Sequence, residues 1–121
     1  MKTIVTFGEI MGRFCPDDFQ RFRQSMPGRQ NLTFSGAEAN VAASISMLGG
    51  KSKFVTSLPE KDISEACITT LRGLKIDISA VQQVKYGRFG FYFVERGANQ
   101  RPSRVIYDRD YSSVAMTPGT S

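Results

Sequence analysis

Thr3 to Gly8 (TIVTFG) is a run of β-branched and aromatic residues stopped by glycine, the pattern of a buried strand that starts a central sheet. A stretch holding Gly, Pro and Arg follows, with turns at Pro16-Asp17-Asp18 and Met26-Pro27-Gly28. Gln30 to Ser35 then alternates, Leu32 and Phe34 sharing one face, as in a half-exposed hairpin arm. From Ala37 to Leu48 the apolar residues Ala37, Val41, Ile45 and Leu48 recur at helical spacing, and Gly49 supplies a left-handed stop. Lys53 to Leu58 returns to a strand pattern that Pro59 ends. Asp62 and Glu65 have the spacing of a capping box. Behind them Ile63, Ala66, Cys67, Thr70, Leu71 and Leu74 predict the apolar face of a second helix ending near Gly73. Val81 to Lys85, Phe89 to Arg96 and Ser103 to Arg109 read as three further strands, with turns at Tyr86 to Arg88 and Gly97 to Pro102. Tyr111 to Ser121 has no periodicity. Strand, arm, helix, strand, helix and strands in that order predict an α/β layer with a separate antiparallel flap. Two strands with helices between them make only a partial doubly wound core.

Composition narrows the chemistry. With 121 residues, 40% of them hydrophobic, the chain can bury one core and not two. It contains no His, which removes Ser-His-Asp and Cys-His catalysis, His-ligated zinc and imidazole acid/base work. Cys15 and Cys67 form no CxxC pair and no disulfide framework, so free thiols in a reducing cytosol are expected. The apolar run from Ile4 to Phe7 is too short for a signal peptide, and no stretch nears the roughly 20 apolar residues of a membrane span. The expectation is a cytoplasmic protein without a membrane partner. A net charge of +5 raises the question of nucleic acid, but nine of the ten Arg fall in two windows, 13 to 29 and 88 to 109. Two windows of that kind suit a basic surface for a small anion, or ordinary solvated Arg on hairpins. Nucleic acid is not expected.

Three positions invite chemistry. In Phe34-Ser35-Gly36-Ala37-Glu38-Ala39-Asn40 a strand passes through Gly into a helix, where backbone N–H groups are free to bind polar or anionic atoms and Gly36 permits close approach. The same residues also describe a tight turn with Asn40 merely exposed. In Phe89 to Arg96, period two sets Phe89, Phe91 and Phe93 on one face and Gly90, Tyr92 and Val94 on the other. The second face offers a Tyr hydroxyl beside a Gly that leaves room for a ligand, or a Tyr that simply packs. In Ser103 to Arg109 the same period puts Tyr107 and Arg109 together. A guanidinium beside a phenol suits a hydroxylated carboxylate. Pairing of Arg109 with a surface Asp is the other reading.

A family resemblance runs through the chain. GEIM at 8 to 11, RF at 21 to 22, FSGAEANVA at 34 to 42, FVTSLPEKD at 54 to 62, LRGLKIDIS at 71 to 79, GFYFVERGA at 90 to 98, RPSRVIYDR at 101 to 109 and the serines 112 to 113 carry it. In order and spacing these resemble the N-terminal part of the ribokinase, or PfkB, carbohydrate kinases, in the 2-keto-3-deoxygluconate kinase branch. Essentially the whole chain is covered, but well under half of a usual family member.

The resemblance implies a partial ribokinase-like α/β sheet with helices, plus an antiparallel β lid drawn from about residues 10–35 and 86–109. It makes residues 1–121 the N-terminal part of a sugar kinase domain, without the C-terminal ATP-binding and catalytic part. The implied activity of the complete enzyme is phosphorylation of 2-keto-3-deoxygluconate at its terminal hydroxyl, with ATP and Mg2+ as cofactors. Gly36 then resembles the glycine whose backbone contacts the sugar, and Asn40 the family Asn on the substrate side. Tyr92 and Tyr107 resemble the two lid tyrosines, and Arg109 the Arg on the sugar carboxylate. Arg13 stands where neutral-sugar relatives have Asp, a departure that favours a sugar acid. Ser35 replaces a common second Gly, and Ile63-Ser64 a usual Leu or Pro then Gly. The family's GAGD motif, which holds the catalytic Asp and the anion hole, is absent. The chain by itself is therefore expected to be inactive and to bind neither cofactor. A homo-oligomer through the lid or the exposed sheet edge is expected. Another sugar such as fructose, or a non-catalytic sugar-acid-binding or dimerisation fragment, stays open as an alternative.

Overall fold

The computed structural model describes residues 2–97 and 102–117. In chain order the elements are β1 (Thr3–Phe7), β2 (Met11–Cys15), α1 (Phe22–Ser25), β3 (Asn31–Ser35), α2 (Ala37–Met47), β4 (Lys51–Pro59), α3 (Asp62–Gly73), β5 (Val81–Val84), β6 (Phe91–Glu95), β7 (Arg104–Asp108) and α4 (Ser113–Met116). They form two sheets, one of order β1-β4-β5 and one of order β3-β2-β6-β7. Residues 98–101 of the expected turn and 118–121 of the tail lie outside the described residues.

The first sheet is parallel throughout, β4 lying between β1 and β5. Alternation along β4 buries Ser52, Phe54, Thr56 and Leu58. Phe54 and Leu58 meet Ala39 and Ala42 of α2, Cys67 and Leu71 of α3, and Ile10, Ile76 and Phe89 in one core. Small residues let α2 approach the sheet, where Ser52 Oγ donates to the Ala42 carbonyl at 2.8 Å. Gly49, at φ 87°, ends that helix as expected.

Two faces differ from expectation. In α2 the buried line is Ala39 and Ala42, while Ala37, Val41 and Leu48 of the expected stripe are exposed. The helix is apolar nearly all round, so periodicity does not choose its inner face; close packing on β4 does. In α3 the buried line is Ser64, Cys67 and Leu71, with Ile63 and Ile68 beside it. Ala66, Thr70 and Leu74 face outward. Lys61 rather than Asp62 is the N-cap, and no side chain caps it; Asp62 and Glu65 instead supply first-turn negative charge favourable to the helix dipole.

β1 also departs from the expected burial. Ile4, Val5 and Phe7 are 48%, 58% and 62% exposed. A parallel strand is buried only when both edges and both faces are covered. Here β4 pairs with a single edge of β1, which therefore forms the margin of the sheet.

The second sheet is mixed rather than antiparallel. β2 pairs with β3 and β6 with β7 antiparallel, but β2 and β6 run parallel. Two antiparallel pairs from distant stretches meet side by side, and the direction of the seam follows from how each leaves the core. Phe14 stacks on Phe93 at 5.2 Å between ring centres and meets Phe91 at 5.4 Å, sealing that seam. The tail is not wholly irregular: Ser112 Oγ accepts from Ala115 N and caps α4. No described helix is long and apolar enough to cross a membrane.

Candidate functional site

The loop that follows β1 brings Glu9 against the start of α2. Gly36 is the N-cap of that helix, its carbonyl accepting from Asn40 N at 2.8 Å. A Cβ on Gly36 would stand 2.3 Å from the Glu9 carbonyl oxygen, so only glycine fits this approach. Arg109 enters from the end of β7. Its Nε lies 3.2 Å from Glu9 Oε1, and its Cζ lies 5.8 Å from the centre of the Tyr107 ring.

A cleft of about 210 Å3 opens between Glu9, Met11, Gly36, Glu38, Tyr107 and Arg109. A neighbouring cleft of about 350 Å3 shares Glu9, Glu38 and Arg109 and reaches Val114 and Ala115 of α4. Both lie past the carboxyl end of β1, where ligands of open α/β sheets bind. Another cleft, of about 260 Å3, lies by Thr3, Lys51 and Lys75 at the opposite end of the strands.

Of the residues singled out from the sequence, Gly36, Tyr107 and Arg109 meet at the first cleft. Tyr92 stands directly opposite Tyr107 across β6 and β7, with Arg13 next in the same row on β2. Asn40 is exposed one turn into α2 and lines neither cleft shared with Arg109. The room beside Gly90, read from sequence as ligand space, is filled by Glu9: a Cβ there would lie 2.4 Å from Glu9 Oε2. Arg109 is paired with the partly buried Glu9 and not with a surface Asp. The Arg–Asp pair of this region is Arg88 with Asp108. Glu9 and Glu38 were missed; the available signal was an acid directly after the glycine that ends β1, and another two residues after Gly36.

The Arg88–Asp108 pair steadies the approach to Arg109. Arg88 Nε donates to the Asp110 carbonyl at 2.8 Å, and Arg88 N donates to the Tyr111 carbonyl at 3.1 Å. Ser113 Oγ donates to the Tyr86 carbonyl at 2.8 Å, tying α4 to the same loop. The guanidinium beside it holds the Asp108 carboxyl below its ordinary range, and Asp108 in turn raises Arg88. Burial pushes the Cys67 thiol up to about 12, which makes it an inert core residue.

Among the described residues no group of three or more Cys, Asp or Glu converges to hold a metal ion. The two acids of the cleft are Glu9 and Glu38, and Glu9 is engaged by Arg109. The lining residues make a small cleft with a cation and a phenol on its lid side and a helix start on its core side.

The core sheet, its helices and the lid are part of a ribokinase-like α/β fold. The chain belongs to the pfkB family of carbohydrate kinases, whose family model matches residues 1–118. It is 34% identical to a 2-dehydro-3-deoxygalactonokinase of Haloferax volcanii, over 92% of this chain and 34% of that protein. A crystal structure of 2-dehydro-3-deoxygluconokinase from Thermotoga maritima superposes with a TM-score of 0.90 at 39% identity, covering 98% of this chain and 35% of that one. A fructokinase of Solanum tuberosum is 28% identical over 95% of this chain and 36% of its own length. The chain thus spans about a third of the length of these relatives.

Proposed function

We propose that this chain is the substrate-binding and lid portion of a kinase for 2-keto-3-deoxygluconate (2-dehydro-3-deoxygluconate) or a near epimer. One observation carries this reading: Arg109 and Tyr107, adjacent on the lid, face the backbone of Gly36 across a small cleft. Arg109 would bind the sugar carboxylate through charge-assisted hydrogen bonds, and Tyr107 and Tyr92 would bind hydroxyl or keto oxygens. Gly36 and the first turn of α2 would present backbone N–H groups to the sugar. Asn40 would join them on the substrate side only after movement of the helix start or the lid, since it lies outside the cleft. ATP with Mg2+ would supply the phosphoryl group, bound by parts of the complete enzyme outside this chain. The GAGD run of the family resemblance does not occur in this sequence, so the chain alone is expected to be inactive.

The full-length protein carrying this sequence, assayed for ADP release, tests the reading. It should turn over 2-dehydro-3-deoxygluconate or 2-dehydro-3-deoxygalactonate with a higher kcat/KM than fructose. Equal or better turnover of fructose would overturn the sugar-acid assignment and leave the fructokinase alternative, which the Solanum relative supports. The 121-residue chain alone should release no ADP above blank.

A further inference from the structure

Glu9 has no role in the substrate contacts just described, yet it lines the cleft with its side chain largely out of solvent. Its side chain is only 10% exposed, against 48% for the Arg109 side chain it pairs with. One oxygen, Oε1, lies 3.2 Å from Arg109 Nε. The other, Oε2, is buried with no hydrogen-bond partner among the described residues. Burying an acceptor-only carboxylate oxygen unpaired is costly, and an apolar side chain would pack there without that cost. Stability alone does not account for an acid in this place.

The surroundings are shaped to hold it. Gly90 of the β6 approach leaves the space that Oε2 occupies, and a Cβ there would also press on the Cβ of Arg109 at 3.2 Å. Gly36 packs against the Glu9 carbonyl, which fixes the acid's backbone from the core side. Arg109 is a long, half-exposed side chain beyond the end of β7, with many rotamers to lose on binding. Contact through Nε leaves the two terminal nitrogens, the planar fork that matches a carboxylate, for a ligand.

We propose that Glu9 is a positioning residue: seated in the space opened by Gly90, it holds Arg109 by Nε and presets the guanidinium fork for the carboxylate of the substrate. The inference rests on the sugar-acid reading above. Preorganisation of this kind raises affinity by lowering the ordering cost of binding, and here it is obtained at the expense of stability.

In the full-length protein, Glu9→Ala should weaken 2-dehydro-3-deoxygluconate binding about tenfold, the order expected from freeing one rotamer-rich side chain. Fructose binding should stay unchanged, and Tm should hold or rise because the unpaired oxygen is gone. Glu9→Gln keeps the volume and an oxygen toward Nε, folds even where Ala does not, and should recover part of the loss. Added to Arg109→Ala, either Glu9 change should have no further effect. A lower Tm with an unchanged acid-to-fructose affinity ratio would make Glu9 merely structural and overturn the proposal. Tighter sugar-acid binding would overturn it too, marking Glu9 as a competitor for Arg109. If Arg109→Ala weakens sugar-acid binding and neither Glu9 variant does, this inference alone falls. If Arg109→Ala itself has no effect, the sugar-acid reading falls and this inference with it.

Discussion

Tyr92 and Tyr107 face each other across the lid strands β6 and β7, their ring centres 5.7 Å apart and their planes tilted by 32°. Residues directly opposite on an antiparallel pair share a face, so the two hydroxyls and the Arg109 guanidinium are carried by one side of the lid. That side also bears Met11 and Arg13, on the neighbouring strand.

Arg109 should dominate sugar-acid recognition. A charge-assisted hydrogen bond contributes about 1.5–3 kcal/mol against about 1 for a neutral one. Arg109→Ala should therefore weaken 2-dehydro-3-deoxygluconate binding by roughly ten- to a hundredfold, with ATP affinity nearly unchanged. Arg109→Lys should recover only part, because a point charge lacks the planar fork. Tyr92→Phe and Tyr107→Phe should each cost less. Calorimetry on the four full-length variants ranks them.

Gly36→Ala should damage both fold and site. The added methyl would meet backbone, not a flexible side-chain end, so the Glu9 loop or the start of α2 must shift. Overpacking of this kind costs about 1–3 kcal/mol. Tm should fall and sugar affinity should fall with it; a variant with unchanged Tm and affinity would show that the approach is looser than the structure has it.

Phe54 is fully buried on β4 between α2 and α3. Phe54→Ala should cost about 3–5 kcal/mol in urea unfolding, through lost transfer energy and an unfilled cavity. A change below 1 kcal/mol on the same scale would place the core elsewhere.

The Arg88–Asp108 pair predicts a signed pH effect. The folded pKa of Asp108 is below its ordinary value of 3.8, so its contribution is present above that value. It is lost as pH falls through the depressed folded value. Asp108→Asn should lower stability at pH 7, and the two proteins should converge in acid. Both partners are well exposed, so the effect should be small and weaken with added salt. A gap that widens on acidification would contradict the linkage.

The 121-residue chain on its own should self-associate. Among the described residues β1 leaves one edge unpaired with Ile4, Val5 and Phe7 exposed, and the lid exposes Leu32, Val105 and Ile106. Sedimentation should show species larger than the monomer. Val5→Lys and Ile106→Lys separate the two surfaces: the change that restores the monomer marks the contact. A monomer at high concentration without either change would contradict the expectation.

Much of the order of elements was legible along the chain. α2 was visible from apolar spacing closed by Gly49, β4 from a run ended at Pro59, and the partnership of Tyr107 with Arg109 from period two, because each depends on residues a few positions apart. The family motifs added the kinase assignment and pointed to Gly36, Asn40, Tyr92, Tyr107 and Arg109. β2 and the short helices α1 and α4 were not read as elements: Gly12 and Arg13 interrupt the strand pattern of β2, and each helix is a single turn of four residues.

What local pattern could not supply depends on partners distant in sequence. The inner face of α2 was decided by β4, which accepts Ala39 and Ala42 closely and leaves Val41 and Leu48 outside. The parallel seam between β2 and β6 joins segments roughly eighty positions apart, and no period within either strand encodes its direction. The pairing of Glu9 with Arg109 across one hundred positions is of the same kind. The sequence by itself determined the longer helices, the strands with clear alternation and which residues share a strand face, because those follow from backbone geometry over a few residues. Only the tertiary structure decided that the partly buried Glu9 meets a lid arginine beside Gly90, because nonlocal strand register and close packing set that contact.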